Sequence, residues 1–394
     1  MDSINRKGLV WLAVGALAST ACGDDSGGDD AADDGGTADG GTADDPTGGD
    51  CMPSEVDIAP LDTSTCMPAA TDYTPTINGS ADDMWPACAN DDGVYHPLDQ
   101  PGAAARTEAF AMIRSILAAD LSPAGFTMAR EQYALDQGIE SRTVRREDVR
   151  YPEIPEADHD PAVDADKQCT VEANVMKYPD RCAGPAKIAP IINDAFMAAQ
   201  MGEGDPAVHA ARIDAAIAWF MYLSVIKEST FSCPLADLGG DCDSGWGYYN
   251  GANARGAGIG FAADVIGVSP AADDRIIDGL SAMRCWRDSY PADMDADTSD
   301  PLYVAGRDQL DQANNHGAAI VLRDRMEQQL ALCGSEADAN WAWVQTFGQG
   351  LIKPAQDTDA GHASTLVALL GNDAPMPADI EGGIAALDAL FPCP

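Results

Sequence analysis

The stretch Asp205–Thr230 limits the possible folds of this chain more than any other. Asp205-Pro206 supplies an N-capping side chain followed by proline at the first helical position, and Ile213, Ile217, Phe220, Leu223 and Ile226 then recur at helical spacing. A strand would show apolar residues at every second position instead. The helical period returns elsewhere. Ala104–Asp120 places Phe110, Ile113 and Leu117 on one face, Ser122-Pro123 opens a helix towards Gln137, and Pro185–Gln200 is apolar with helical spacing. Leu302–Leu332 predicts a second long helix. Strand alternation and two-residue hairpin turns are nearly absent, so the predicted fold class is all-α.

The helical domain is assigned to residues 101–394. Three segments precede it. Residues 1–21 read as a lipoprotein signal peptide: Arg6 and Lys7 form a basic start, and Gly8–Ala18 is apolar but short of the ~20 residues a spanning helix needs. Ser19-Thr20-Ala21 then leads to Cys22, an arrangement that resembles a lipobox, although Ser19 stands where an aliphatic residue is usual. An ordinary signal peptide with an incidental cysteine is the alternative. Residues 22–50 read as a lipidated cysteine and a disordered tether. From 23 to 50 the chain holds 10 Asp and 9 Gly with no cation and no large apolar side chain, so it has nothing to bury and its charges repel. Residues 51–100 are an irregular, Cys-containing lead-in. The expected address is extracytoplasmic, anchored to a membrane through lipid on Cys22. The outer membrane is favoured, because Gly23 is not the aspartate linked to inner-membrane retention.

The net charge of -41 opposes binding to nucleic acid or to an anionic lipid surface. Eleven cysteines occur; giving Cys22 to lipid leaves ten, with no CxxC pair that would suggest a zinc ribbon or a thioredoxin-type site. The near neighbours 51/66, 169/182 and 233/242 are expected to close local loops. Cys88, Cys285, Cys333 and Cys393 are left for longer bridges.

The order of features suggests tandem related helical units. The helix ending near Thr230 is followed by Cys233, a Gly/Ala/Asp stretch and the aromatic cluster Trp246-Gly-Tyr-Tyr-Asn-Gly251. The helix ending near Leu332 is followed by Cys333, an Ala/Asp stretch and Trp341-Ala-Trp343. Each cluster leads to a helix that ends near a cysteine, at Cys285 and at Cys393.

Familiar catalytic patterns are missing. There is no HExxH, no G-x-S-x-G and no P-loop, and the GxHxxE pattern of imelysin-type helical peptidases is also missing. Arg255–Gly260 is Gly-rich but follows no strand, so it reads as a loop and no nucleotide cofactor is expected. Asp293, Asp295 and Asp297 imitate a calcium loop, yet Thr298 and Val304 stand where an EF-hand needs Gly and Glu. A calcium-binding acidic surface on a scaffold lipoprotein is therefore the runner-up reading, with Asp158, Asp160, Asp164 and Asp166 a second acidic loop. Arg142, Arg145, Arg146 and Arg150 crowd into nine positions of a chain with only 23 Lys and Arg. They could hold an anion through paired N–H donors, or balance Glu140, Glu147 and Asp148. Asp243, Tyr248 and Tyr249 fall in what reads as a Gly-rich turn and offer the oxygen ligands that ferric iron prefers; Glu228 and His316 are further candidates.

At Pro185–Glu228, Trp246–Gly251 and Trp341–Trp343 the chain resembles the low-iron-inducible periplasmic proteins of algal and bacterial iron assimilation. The resemblance covers about half of residues 185–394 and rests on loose helical and aromatic patterns. It implies an extracytoplasmic, helical, repeat-built protein that serves iron acquisition by binding ferric iron or an iron complex, without catalysis. It fixes no ligand set.

Overall fold

Helix-forming residues gather into elements by the periodicity of their apolar side chains, and in the computed structural model every regular element among the described residues is helical. The described residues are 58–61, 67–75, 84–98, 102–236 and 240–393. The signal segment, Cys22, the tether, Cys51 and Cys66 lie outside them. None of the described helices is long and apolar enough to cross a membrane.

Helices α1 (Gly102–Ala119), α2 (Pro123–Tyr133) and α3 (Ile139–Thr143) open the domain. The Pro- and Asp-rich stretch between 150 and 185 contains α4 (Glu172–Lys177) and short 3-10 turns, gathered on the Cys169–Cys182 disulfide and Ile154 as a small satellite core. Next come α5 (Ala189–Met201) and α6 (Pro206–Ile226). Ser122 caps α2 and Asp205 caps α6 as their sequences require. Every side chain of α6 from Ala215 to Ile226 is buried, so its apolar stripe widens into a core helix surrounded on all sides.

The second half contains α7 (Gly240–Asn250), α8 (Phe261–Val268), α9 (Pro270–Asp288), α10 (Pro301–Gln329), α11 (Gly334–Gly348), α12 (Ile352–Thr358), α13 (Ala360–Leu370) and α14 (Pro377–Leu390). The two stretches expected to form tandem units do not fold as separate beads. Helix α6 packs chiefly on α11, and α10 chiefly on α9, so one continuous core runs from Tyr73 to Phe391. Cys88–Cys285 ties the lead-in to α9, and Cys233–Cys242 closes a loop of nine positions. Cys333 and Cys393 are disulfide-bonded as well.

The structure corrects one expectation: Asp241–Asn250 is a helix, not a turn. Its glycines serve close packing. A Cβ on Gly245 would lie 2.0 Å from the Ser229 hydroxyl, and the Gly247 carbonyl accepts a 2.8 Å hydrogen bond from Thr107 on α1. The turn comes at Gly251, which has φ +71° and donates to the Gly247 carbonyl. Gly245→Ala is expected to destabilise the domain by about 2–3 kcal/mol through overpacking, and adding Ser229→Ala should recover most of that loss. Denaturant unfolding of the single and double variants measures both; a fully stable G245A would refute the close approach.

Candidate functional site

The end of α6 changes pitch before α7 begins. From Lys227 to Ser232 the chain runs as a π-helix, and the Cys233 amide reaches back five residues to the Glu228 carbonyl at 2.9 Å. Such a bulge adds a residue to one turn and redirects the side chains around it, a device common at functional sites. Here Lys227, Glu228, Phe231 and Ser232 all face one cavity of about 520 Å³. Its other walls are Arg106 of α1, Tyr248, Ser244 and Asp241 of α7, Leu235, Ala165 and Asp166, and the segment that carries Arg142, Arg145, Arg146 and Glu147.

This cavity brings together all three residues expected to bind an anion, Arg142, Arg145 and Arg146, with two of the expected metal ligands, Glu228 and Tyr248. The other metal candidates are elsewhere. Asp243 is buried and accepts from Arg284 Nη1 at 2.6 Å, from the Leu98 amide at 2.8 Å and from Tyr95 Oη at 3.2 Å. Tyr249 donates to Asp273 at 2.8 Å. His316 Nδ1 meets the Phe391 carbonyl at 2.8 Å beside a different hollow, with Arg323 and Asp388. Helical geometry explains the dispersal: at about 100° per residue, positions 243, 248 and 249 point to three sides of α7. A turn would have let them converge.

The acidic loops hold no convergent set either. Asp295 accepts from the Ala236 amide at 2.6 Å, Asp297 from Ser299, and Asp158 from Lys177 and Tyr178. Among the described residues, the only group of three His, Cys, Asp or Glu ligand atoms close enough to share an ion is Cys88, Asp91 and Cys285, and its two sulfurs form a disulfide.

The buried arginines show what sets the cavity apart. Arg146 pairs with Glu228 at 2.7 Å, Arg181 with Glu147 at 2.5 Å, Arg284 with Asp243 at 2.6 Å, and Arg323 with Asp388 and Glu327 at 2.9 and 2.5 Å. Arg275 pairs with Asp72. Arg287 is held by carbonyls, those of Cys233, Tyr290, Pro291, Ala292 and Met294. Arg106 is 8% exposed and has neither arrangement. Its Nε donates to the Gln137 carbonyl at 3.0 Å and Nη1 to Tyr248 Oη at 3.3 Å, with no carboxylate partner among the described residues. Arg142 and Arg145, half-buried on the same cavity wall, likewise have none. Gln137 itself sits at φ +56°, a conformation that costs a non-glycine residue about 1 kcal/mol or more.

The electrostatics follow from this crowding. Burial lowers the Arg106 pKa below its ordinary value, and Arg142 and Arg146 add to that effect. Burial would raise the Glu228 carboxyl, but Arg146 and Lys227 overcome it and hold it at about 2. At Asp241, which has no ion pair, burial reinforced by Glu228 outweighs the opposing pull of Lys227 and Arg142 and pushes the carboxyl up to about 6. Burial also raises the Tyr248 phenol, against the opposing pull of Arg146 and Arg106.

Arg106, Lys227, Asp241 and Ser244 were not singled out from the sequence. Arg106 had a visible signal. It lies four, seven and eleven positions before Phe110, Ile113 and Leu117, so it occupies the core face of α1. Comparison with known proteins finds no family model that matches the chain, no similar curated protein and no similar solved structure.

Asp241 gives the cavity a pH signature. Its folded pKa is raised from 3.8 to about 6, so its contribution to stability is complete below pH 3.8 and is lost as the pH rises through 6. Asp241→Asn should therefore stabilise the chain by about 1–2 kcal/mol at pH 7, after allowance for partial exposure, and by almost nothing at pH 4. Denaturant unfolding at the two pH values measures the difference; an equal effect at both would contradict the assignment.

Proposed function

We propose that this chain is an exported, lipid-anchored binding protein whose arginine-lined cavity holds a small polyanion, with a carboxylate-bearing ferric complex the form that joins this chemistry to iron acquisition. The observation that carries the reading is Arg106, a guanidinium buried on the cavity wall with no carboxylate bonded to it among the described residues. A buried charge without a counter-ion is strongly unfavourable, and an anionic ligand would supply what the chain lacks. Arg142 and Arg145 extend the same donor surface, and planar guanidinium groups match carboxylate and phosphate oxygens two at a time.

Bare ferric iron suits the cavity less well than an anionic complex. Five cations, Arg106, Arg142, Arg145, Arg146 and Lys227, line the wall against four carboxylates, of which Glu147 is bonded to Arg181 and Glu228 to Arg146 and Lys227, leaving only Asp166 and Asp241. A trivalent cation would meet repulsion from those groups, whereas a ferric centre wrapped in carboxylates would present negative oxygens to them. Tyr248 lies in the same cavity and offers a phenol oxygen to the metal.

Titration calorimetry of the purified chain with citrate and with ferric citrate tests this reading. Both should bind, and Arg106→Gln, which keeps length but removes the charge, should weaken both by about 10- to 100-fold, the range of a charge-assisted hydrogen bond in a desolvated site. Arg142→Gln, at a half-buried position, should weaken binding with no change in melting temperature. Absence of heat with either ligand would overturn the reading. A visible phenolate-to-iron band that Tyr248→Phe removes would place the metal beside that ring.

A further inference from the structure

The cavity is not uniformly polar. Phe231 and Leu235 line it together with the arginines, and at 38% and 41% exposure they are among the large apolar side chains that the fold leaves open to water. Both are fixed in place. Phe231 belongs to the π-helix and lies under the Arg181 guanidinium at 5.8 Å from its ring centre; Leu235 follows Cys233, which is bonded to Cys242. The packing of the core does not require this exposure, because neither residue belongs to the continuous apolar core.

The polar groups divide the cavity further. Glu147 is engaged with Arg181, and Glu228 with Arg146 and Lys227. Among the described residues that leaves Arg106, Arg142 and Arg145 without carboxylate partners, against two carboxylates on the same wall: Asp241, whose nearest bond is the Ser244 hydroxyl at 3.5 Å, and the exposed Asp166. Arg146 and Lys227 share the single charge of Glu228, so with Asp166 and Asp241 both ionised the cavity keeps an excess of two positive charges. We propose that the cavity takes an organic polyanion that carries an apolar group, its acidic head on Arg106, Arg142 and Arg145 and its aryl or alkyl portion on Phe231 and Leu235. This specifies the ligand class of the anion-binding reading above and rests on it. A cavity of about 520 Å³ has room for both parts, where a lone inorganic oxyanion would leave most of it to water.

The test compares inorganic phosphate, phenyl phosphate and benzoate by titration calorimetry on the purified full chain at one pH and salt concentration. Phenyl phosphate should bind about tenfold or more tightly than inorganic phosphate, the gain from covering one apolar ring, and benzoate, with a single charge, more weakly than phenyl phosphate. Phe231→Ala should remove the advantage of the phenyl group and leave inorganic phosphate affinity unchanged, while Arg142→Gln should weaken both phosphates. Phe231 is exposed and outside the main core, so its truncation leaves folding intact; an unchanged melting temperature checks this. Equal affinity for the two phosphates, or an equal loss for both in Phe231→Ala, would overturn the apolar portion and leave the anion site standing. Failure of all three probes, with citrate also silent, would remove the anion site as well.

A lipid could present the same chemistry. Co-sedimentation with phosphatidylglycerol vesicles that phenyl phosphate competes away would assign the apolar group to an acyl chain, and no sedimentation alongside phenyl phosphate binding would assign it to a soluble ligand. Both outcomes place an apolar group on Phe231.

Discussion

Burial of guanidinium groups is the constraint that organises this molecule. An acidic chain has carboxylates in excess, and it uses them to draw arginines inward as struts between elements far apart in sequence. Arg146 reaches Glu228 across 82 positions, Arg284 reaches Asp243 across 41, and Arg150 reaches Asp311 across 161. Each such pair offsets the desolvation of both partners only while its geometry holds, so removal of one member would leave the other charged and buried. Against that pattern Arg106 stands apart. It too is buried, at 8% exposure, yet its partners among the described residues are one carbonyl and one phenol.

The cavity forms where three local features meet. The π-helix at Lys227–Ser232 redirects the end of α6, the glycines of α7 let that helix approach closely, and the Cys233–Cys242 disulfide holds the connection between them. None of these alone produces the cavity. Together they turn Glu228, Phe231, Asp241 and Tyr248 towards the arginines of α1 and of residues 142–146. The strain at Gln137 belongs to the same construction, because its carbonyl is the acceptor that orients Arg106.

Much of the architecture could be read from the sequence, because apolar residues at helical spacing and capping pairs such as Asp205-Pro206 are local signals. The bridges 169–182 and 233–242 were legible for the same reason. Two kinds of information were not local. Glycines in Asp241–Asn250 read as a turn, since close helix contact with Ser229 and Thr107 depends on partners 12 or more positions away. The grouping of Asp243, Tyr248 and Tyr249 failed with it, because a helix separates what a turn would gather. The arginine cluster was visible as a run, and Glu228 and Tyr248 as candidates, but that they share a cavity with one another is a tertiary fact. Arg106 was the subtle case: one charge on an otherwise apolar face, which the periodicity of α1 does reveal.

The central claim is that Arg106 is neutralised by a ligand and not by the chain. A crystal structure of the protein grown in citrate addresses it directly. The account predicts a citrate carboxylate within about 3 Å of both Arg106 and Arg142, with Arg146 still bonded to Glu228. An empty cavity at saturating citrate, with the Arg106 guanidinium bonded to a carboxylate of the chain itself, would contradict it.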